Sequence, residues 1–424
     1  MKVQVALLSP AVTIAAARLI FAGFLLLVQV YVNRALRRVI RLQTFDPARE
    51  RFAINAAEVL FALMNIPMAL FIAESVVSPR SLLLYNPPAA YEWLATPLAY
   101  IFFIWNLGSI LFALVAPLSM AAFALLQRFR RKRAVELEEE SEGSGLSRRR
   151  FLRLALMAAA AMPFAVSLYG AVAARSKRVL EFVTIPIRDL PDQLDGLTIV
   201  QMSDIHAGVF MTEAQMSEYV EMANSLRPDL VALTGDFVSS TSQQVDPFMR
   251  AMSKLTARIG VFGCLGNHDM YTRAEPVLTQ QFNQAGFKLL RNENQYVDVR
   301  GAKLNIIGLD FFLDGIGNGR VDDALRRIPR DGTTLLLLHA PQGFPDAAKM
   351  GIDLTLSGHT HGGQIALKLG ELLITPARLA TMYLAGLYKL GDSHLYVNRG
   401  LGTTGPPIRI NAPPEITHIT LKKF

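Results

Sequence analysis

The chain holds seven histidines in 424 residues, and five of them close apolar runs beside carboxylate or amide side chains. The densest group is Leu356-Ser357-Gly358-His359-Thr360-His361-Gly362-Gly363-Gln364. Histidines one residue apart cannot share a helix face, where neighbours lie three or four apart. At the end of a strand both can lean toward one point, and the glycines let the backbone bend away at no steric cost. Neutral imidazoles held that close suit a metal better than an apolar core. The other groups are Asp204-Ile205-His206, Gly235-Asp236, Gly266-Asn267-His268-Asp269 and a lone His339. Leaving His268 aside, the inventory is two carboxylates, one amide carbonyl and four histidines. That is too many ligands for one tetrahedral zinc, and the single cysteine, Cys264, excludes a thiolate site. It suits two adjacent metals sharing a carboxylate, which activate a water as hydroxide and stabilise the entering and leaving oxygens of a phosphoryl group. His268 reads as a general acid for the leaving group or a clamp on phosphate, with Asp269 available to orient its ring.

Five short apolar strands must carry these groups: 197–202, 229–233, 260–265, 334–338 and 353–356. Each ends in a ligand-type cluster, and in α/β sheets sites gather at the carboxyl ends of strands. Amphipathic stretches at 212–226, with Thr212 as N-cap, 246–258 and 275–286 predict intervening helices. Residues 296–309 alternate strand and turn, and 373–424 are strand-rich with Gly/Pro turns.

The first part of the chain is different. Apolar stretches near 5–32, 53–76 and 97–126 each reach the length of a bilayer-crossing helix. A milder one, 154–174, follows Ser147-Arg148-Arg149-Arg150-Phe151-Leu152-Arg153, which looks like a twin-arginine export signal or the basic flank of a fourth span. The formal charge of +8 sits in this part: residues 1–175 hold 19 Lys/Arg against 10 Asp/Glu, while 176–424 hold 24 against 25. The basic excess is therefore a topology signal, and no nucleic-acid partner is expected. Arginines crowd 33–52 and 127–150 but not 77–96, so the positive-inside rule places the first two loops in the cytoplasm. Everything after about residue 178 then lies outside the cytoplasm. Arg18, within the first stretch, pairs with a neighbouring helix's carboxylate, snorkels, or marks a functional site. The expected organisation is a membrane domain over 1–127, a cytoplasmic linker over 128–153, the fourth helix or signal over 154–174, and a catalytic domain over 179–424.

Asp-x-His, Gly-Asp, Gly-Asn-His-Asp, a lone His after an apolar strand, and Gly-His-Thr-His stand in order over 204–361, and together they resemble the calcineurin-like metallophosphoesterase family. The resemblance implies an α+β fold, a four-layer αββα sandwich, holding two divalent metal ions (Mn, Fe, Zn or Ni). It assigns Asp204, His206 and His361 to one metal, Asn267, His339 and His359 to the second, Asp236 to the bridge, and His268 to catalysis. Gly386-Leu387-Tyr388, Arg399-Gly400-Leu401-Gly402, Pro407-Ile408-Arg409 and Pro414-Glu415-Ile416 resemble the tail of bacterial membrane-associated phosphodiesterases of that family. The expected activity is hydrolysis of a phosphate ester, a lipid-linked one included, on the extracytoplasmic side. The alternatives are a cytoplasm-facing pyrophosphatase of a nucleotide-linked lipid precursor, and a membrane scaffold or transport partner.

Several residues keep two readings. Arg399 and Arg409 are phosphate contacts or structural ion pairs. The apolar stretch 365–387 is core, the favoured reading, or a lip against the bilayer admitting a lipid-linked substrate. Cys264 reads as a small buried residue, and His394 and His418 as surface strand residues.

Overall fold

The structure, a computed structural model, describes residues 10–41, 46–77, 87–134, 148–311, 320–329, 331–370 and 372–424. Half of the linker expected at 128–153 (residues 135–147), and with it Ser147 of the arginine-rich motif, lies outside the described residues. Two compact units divide the chain, Met1–Ala171 and Val172–Phe424.

The first unit is helical: α1 (Pro10–Arg41), α2 (Pro47–Met64), α3 (Ile66–Val77), α4 (Glu92–Ala134) and α5 (Arg148–Tyr169). Three helical stretches, Val12–Arg41, Pro47–Val77 and Glu92–Leu118, are long and apolar enough to cross a membrane, and a shorter apolar helix covers Met157–Ala173. The second stretch is broken at Asn65, whose side chain donates to the Phe61 carbonyl at 2.8 Å. Pro67, two residues on, has no N–H to continue the ladder. Arg18 lies within electrostatic reach of Glu74 on α3, in accord with the pairing reading. A polar trio is buried in this unit: Gln29 donates to Asn106 Oδ1 at 3.1 Å and to Ser109 Oγ at 3.2 Å.

The second unit holds two six-stranded sheets. One runs β1 (Val179–Ile187), β14 (Glu415–Lys423), β2 (Thr198–Met202), β3 (Leu230–Thr234), β4 (Gly260–Cys264), β5 (Lys288–Leu289). The other runs β12 (Gly386–Leu390), β13 (Ser393–Val397), β9 (Leu354–Ser357), β8 (Thr333–Leu338), β7 (Ala302–Leu309), β6 (Glu293–Val299). The strands carrying the chemistry, β2, β3, β4, β8 and β9, pair parallel within each sheet. All their carboxyl ends therefore open on one edge of their sheet. Side chains alternate across each strand. Ile199, Ala232 and Phe262 of the first sheet meet Leu304, Ile306, Leu335, Leu337 and Leu356 of the second in one buried core. The opposite face of the first sheet packs Val200, Met202, Val231 and Leu233 against α6 (Glu213–Ser225), α7 (Val245–Met252) and α9 (Glu275–Gln284). The outer face of the second packs Ile307, Leu309, Leu336 and Leu338 against α10 (Arg320–Arg326) and α11 (Phe344–Lys349).

Sequence expectations and structure differ in instructive places. Thr212 caps α6 in a reciprocal capping box with Gln215. The helix expected at 246–258 stops at Met252, because Asn224 captures the following backbone: it donates to the Lys254 carbonyl at 2.8 Å and accepts from the Thr256 N–H at 2.9 Å. His394 is buried, not a surface residue, because β13 lies between β9 and β12. His418 is half-buried beside Phe182, their ring centroids 5.4 Å apart.

Candidate metal centre

Three loop ends and two histidine-bearing turns converge at the carboxyl edge of the sheets. Asp204, His206 and His361 have ligand atoms within 4.8 Å of one another, as do His206, Asp236 and His268, and Asp236, His339 and His359. Asp236 belongs to two of these groups. Its Oδ2 stands 3.5 Å from His206 Nε2 and 3.3 Å from His339 Nε2. His361 Nε2 lies 3.2 Å from Asp204 Oδ1, and His339 Nε2 lies 3.2 Å from Asn267 Oδ1. All seven residues expected as ligands, with His268, are thus brought together.

The backbone is bent hard to achieve this. Asp204, His206, Asp236, His359 and His361 all have positive φ, between 49° and 71°. A non-glycine residue in that region costs on the order of 1–3 kcal/mol and persists only where its surroundings impose it. Close packing supplies the constraint. A Cβ at Gly358 would run into Ser203 Oγ and Asp204 Oδ2, and one at Gly266 would run into the Asp236 carboxylate and amide. The two strand ends thereby touch through glycine where larger residues would push them apart.

Hydrogen bonds then fix each side chain. Asp204 Oδ2 accepts from Ser203 Oγ at 2.6 Å and from the His359 N–H at 2.9 Å. Asp236 Oδ1 accepts from the His268 N–H at 2.8 Å, leaving Oδ2 to the histidines. His339 Nδ1 donates to the Thr234 carbonyl at 2.7 Å, which turns Nε2 inward. His268 Nδ1 donates to the Ser239 carbonyl at 2.6 Å, and its Nε2 looks toward Thr404 Oγ1 at 3.4 Å.

Asp269 does not orient the His268 ring, as the sequence had suggested. It is residue N3 of α8 (Asn267–Tyr271), and its carboxylate folds back to accept from the N–H groups of Gly266, Asp236, Phe237 and Val238. It ties the end of β3 to the end of β4 and stands behind the ligands. Burial and the nearby Asp236 charge push its carboxyl up to about 7.

Charge is shared unevenly across the cluster. Burial alone would raise Asp204 and Asp236, but His361 holds the first below the usual carboxylate range and His339 holds the second well below it. Burial lowers His339 too, yet the Asp236 carboxylate outweighs it and raises the imidazole to about 10. His359 is pushed down to about 4, by burial and then by the His339 charge; burial also drives His206 well down. Neutral rings, charged carboxylates and one proton held between Asp236 and His339 compose a set that fits cations. His206 Nε2 and His361 Nε2 approach to 3.1 Å, and His359 Nδ1 and His339 Nε2 to 3.2 Å, with carboxylates interleaved. A cation bound there would take the place of the His339 proton.

Both arginines prove structural. Arg399 pairs with Glu181 at 2.7 Å and Glu415 at 2.9 Å. Arg409, fully buried, donates to the carbonyls of Gly402, Ala412, Arg399 and Gly400, with its Nη2 3.4 Å from His361 Nδ1. Cys264 is buried at the end of β4, two residues before Gly266. Sequence reasoning missed the groups that act through backbone or packing: Ser203, Ser239, and Gln364, which grips the 404–406 loop through Thr404 and Pro406. It also missed an aromatic rim, Phe311 at 5.8 Å from the His359 ring and Tyr271 at 6.2 Å from the His268 ring.

The stretch 365–387 corrects the core reading. Ala366 and Leu384 are buried, but Leu367, Ile374, Leu379, Met382 and Leu387 are exposed. It forms the hairpin β10 (Leu367–Leu369) and β11 (Leu372–Ile374), followed by a 3-10 turn, Pro376–Leu379. That turn walls a cavity of about 390 Å³, whose other side is His359, Thr360 and His361.

Comparison with known proteins accords with this geometry. The calcineurin-like phosphoesterase family model matches residues 197–363, which contain every ligand candidate. The chain is 34% identical over 284 residues to an uncharacterised metallophosphoesterase of Bacillus subtilis, YkuE, covering 65% of this chain and 98% of that protein. It is 32% identical over 298 residues to a zebrafish (Danio rerio) transmembrane protein with a metallophosphoesterase domain, covering 67% of this chain and 65% of that one. A Helicobacter pylori (strain J99) metallophosphoesterase is 33% identical over 244 residues, 55% of this chain and 63% of its own length. The chain belongs to the calcineurin-like phosphoesterase family and is a metal-dependent phosphoric ester hydrolase. Three of its helical stretches are long and apolar enough to cross a membrane, as the name of the zebrafish relative says of that protein.

Proposed function

We propose that the chain is a membrane-anchored, two-metal phosphodiesterase working on the extracytoplasmic side. The catalytic domain, 179–424, is read as a four-layer αββα sandwich, behind four spans of which 154–174 is the last. The observation that carries the reading is the position of Asp236 Oδ2, at 3.5 Å from a nitrogen of one ligand group and 3.3 Å from a nitrogen of the other. Asp204, His206 and His361 would hold one metal and Asn267, His339 and His359 the second, with Asp236 placed to contribute to either. Two divalent ions there supply the positive charge that acidifies a water and neutralises the phosphoryl oxygens.

The remaining chemistry belongs to the chain. His268, its Nδ1–H committed to Ser239, presents Nε2 to the leaving oxygen and gives it a proton. The cavity beside His359 and His361 leaves room for the second esterified group of a diester. Asp269 is a positioning residue that keeps the β3 and β4 ends in register. Arginine-rich flanks at 33–52 and 127–150, and the motif running through Arg148-Arg149-Arg150, support the extracytoplasmic orientation.

The test is Asp236→Asn in the full chain. Hydrolysis of bis(p-nitrophenyl) phosphate with added manganese is expected to fall at least about a thousandfold, roughly 4 kcal/mol of transition-state stabilisation. Full activity of the variant, or activity indifferent to chelation, overturns the two-metal reading. Protease accessibility of the catalytic domain in spheroplasts tests the orientation; protection there favours a cytoplasm-facing pyrophosphatase instead.

A further inference from the structure

We infer that the exposed apolar segment 365–387 is a lipid-docking lip, and that the substrate is an amphiphilic phosphodiester drawn from the bilayer surface into the cavity beside His359 and His361. This rests on the phosphoesterase reading above and names its substrate class.

The lip is built onto the metal site itself. Thr360, between the two histidines, donates to the Leu384 carbonyl at 2.5 Å, and Thr375 donates to the Gly363 carbonyl at 2.9 Å. Between those two anchors the chain makes one turn with two faces. Pro376, Ala377, Ala380 and Thr381 line the cavity, while Leu379 is 94% exposed and Met382 68% exposed. The hairpin ahead of the turn adds Leu367 and Ile374, also exposed. Large aliphatic side chains grouped this way in water mark a surface that something covers.

Two observations select a lipid surface as the occupant. The same polypeptide carries three helical stretches long and apolar enough to cross a membrane, so a bilayer is tethered to this domain at high effective concentration. The lip is also flanked by exposed Lys368, Arg378 and Lys389, and the sequence of 365–390 sets one carboxylate, Glu371, against these three cations, a net positive charge that complements an anionic headgroup layer. Apolar side chains with a cationic fringe are how peripheral segments seat at a bilayer interface. In the reaction the water oxygen bonds to phosphorus, the bond to the leaving oxygen breaks, and that oxygen takes the proton. The acyl or alkyl portion stays in the lipid, and only the headgroup phosphate has to travel past the turn.

Two measurements on the full chain in phosphatidylcholine/phosphatidylglycerol vesicles test this. Cys264 is buried, so Leu379→Cys offers one accessible thiol for an environment-sensitive nitrobenzoxadiazole label. The label is expected to be quenched by doxyl-labelled lipids at every protein-to-lipid ratio. A fully aqueous label overturns docking, and quenching lost on dilution into more lipid assigns the lip to a second copy of the chain instead. The second measurement compares p-nitrophenyl hexadecyl phosphate in the vesicles with soluble bis(p-nitrophenyl) phosphate. The ratio of their kcat/KM values is expected to fall about tenfold in Leu379→Ser/Met382→Ser. An unchanged ratio overturns the substrate class. Absence of metal-dependent hydrolysis of either ester by the wild-type chain defeats the phosphoesterase reading, whereas the label, which needs no turnover, still decides the lip.

Discussion

Polar side chains are buried in both units of the molecule, and they are buried differently. In the helical unit Gln29, Asn106 and Ser109 are neutral, sit on unstrained helix, and satisfy one another or a carbonyl one turn back, as Asn106 does with Phe102 at 2.7 Å. In the second unit Asp204 and Asp236 carry charge, share positive-φ backbone with His206, His359 and His361, and together with these rings and His339 aim their oxygens and nitrogens at shared points. The first arrangement links side chain to side chain, Gln29 Oε1 alone of its hydrogen-bonding groups lacking a partner, and holds helices together. The second is stable only because the fold around it overrides strain and like-group crowding. Convergence without mutual satisfaction distinguishes a site from a seam, and that difference can be probed at both places.

The largest effect is expected at Gly358. Gly358→Ala places a methyl group against Ser203 and Asp204, so metal content measured by elemental analysis and phosphodiester hydrolysis should both collapse, the latter by about a thousandfold or more. A variant with normal metal content would break the claim that close backbone approach builds the centre. His268→Ala should keep its metals and lose on the order of a hundredfold in kcat, less with p-nitrophenolate than with an alkoxide leaving group, because the former needs no proton. Equal losses for both leaving groups would assign His268 to phosphate clamping. A smaller effect concerns pH. The folded His359 pKa of about 4 lies below its unfolded value. Neutral His359 therefore contributes stability that is present above about 6.5 and is lost as pH falls toward 4, roughly 1–3 kcal/mol. Thermal unfolding of metal-stripped protein should show this acid sensitivity, and His359→Asn should flatten it. The least effect is expected in the helices: Gln29→Leu should change unfolding by about 1 kcal/mol and leave hydrolysis untouched. A loss of activity there would mean that the polar trio belongs to the chemistry after all.

Most of the centre could be read from the sequence because each ligand ends a strand, and strand ends in parallel sheets share an edge. Asp204, Asp236, Asn267, His339 and the His359/His361 pair each announced themselves by type and place. What could not be read acts through the main chain. The Ser239 carbonyl that orients His268 has no side-chain signature, and Asp269 looked like an orienting carboxylate because adjacency in sequence does not disclose that its helix position turns it backward. The stretch 365–387 failed for a different reason. Composition cannot separate an apolar run that packs inward from one that lies open, and pinning by Thr360 and Thr375 decides it. His394 shows the converse, a polar residue that sheet order buries. Arg409 kept two readings in the sequence, phosphate contact or structural ion pair, and the structure spends it on four carbonyls.

The strand order also says something about time. β14 follows every other strand of the domain in sequence, yet it lies between β1 and β2, which precede all the others. Until it arrives, the first sheet is in two pieces, with β1 alone and an open ladder along β2. A nascent chain stopped at Pro414 therefore presents exposed strand edges and an unfinished core, a state prone to aggregation. Completion of the domain is thus a single late event, and partial products have no stable half-sheet in which to wait.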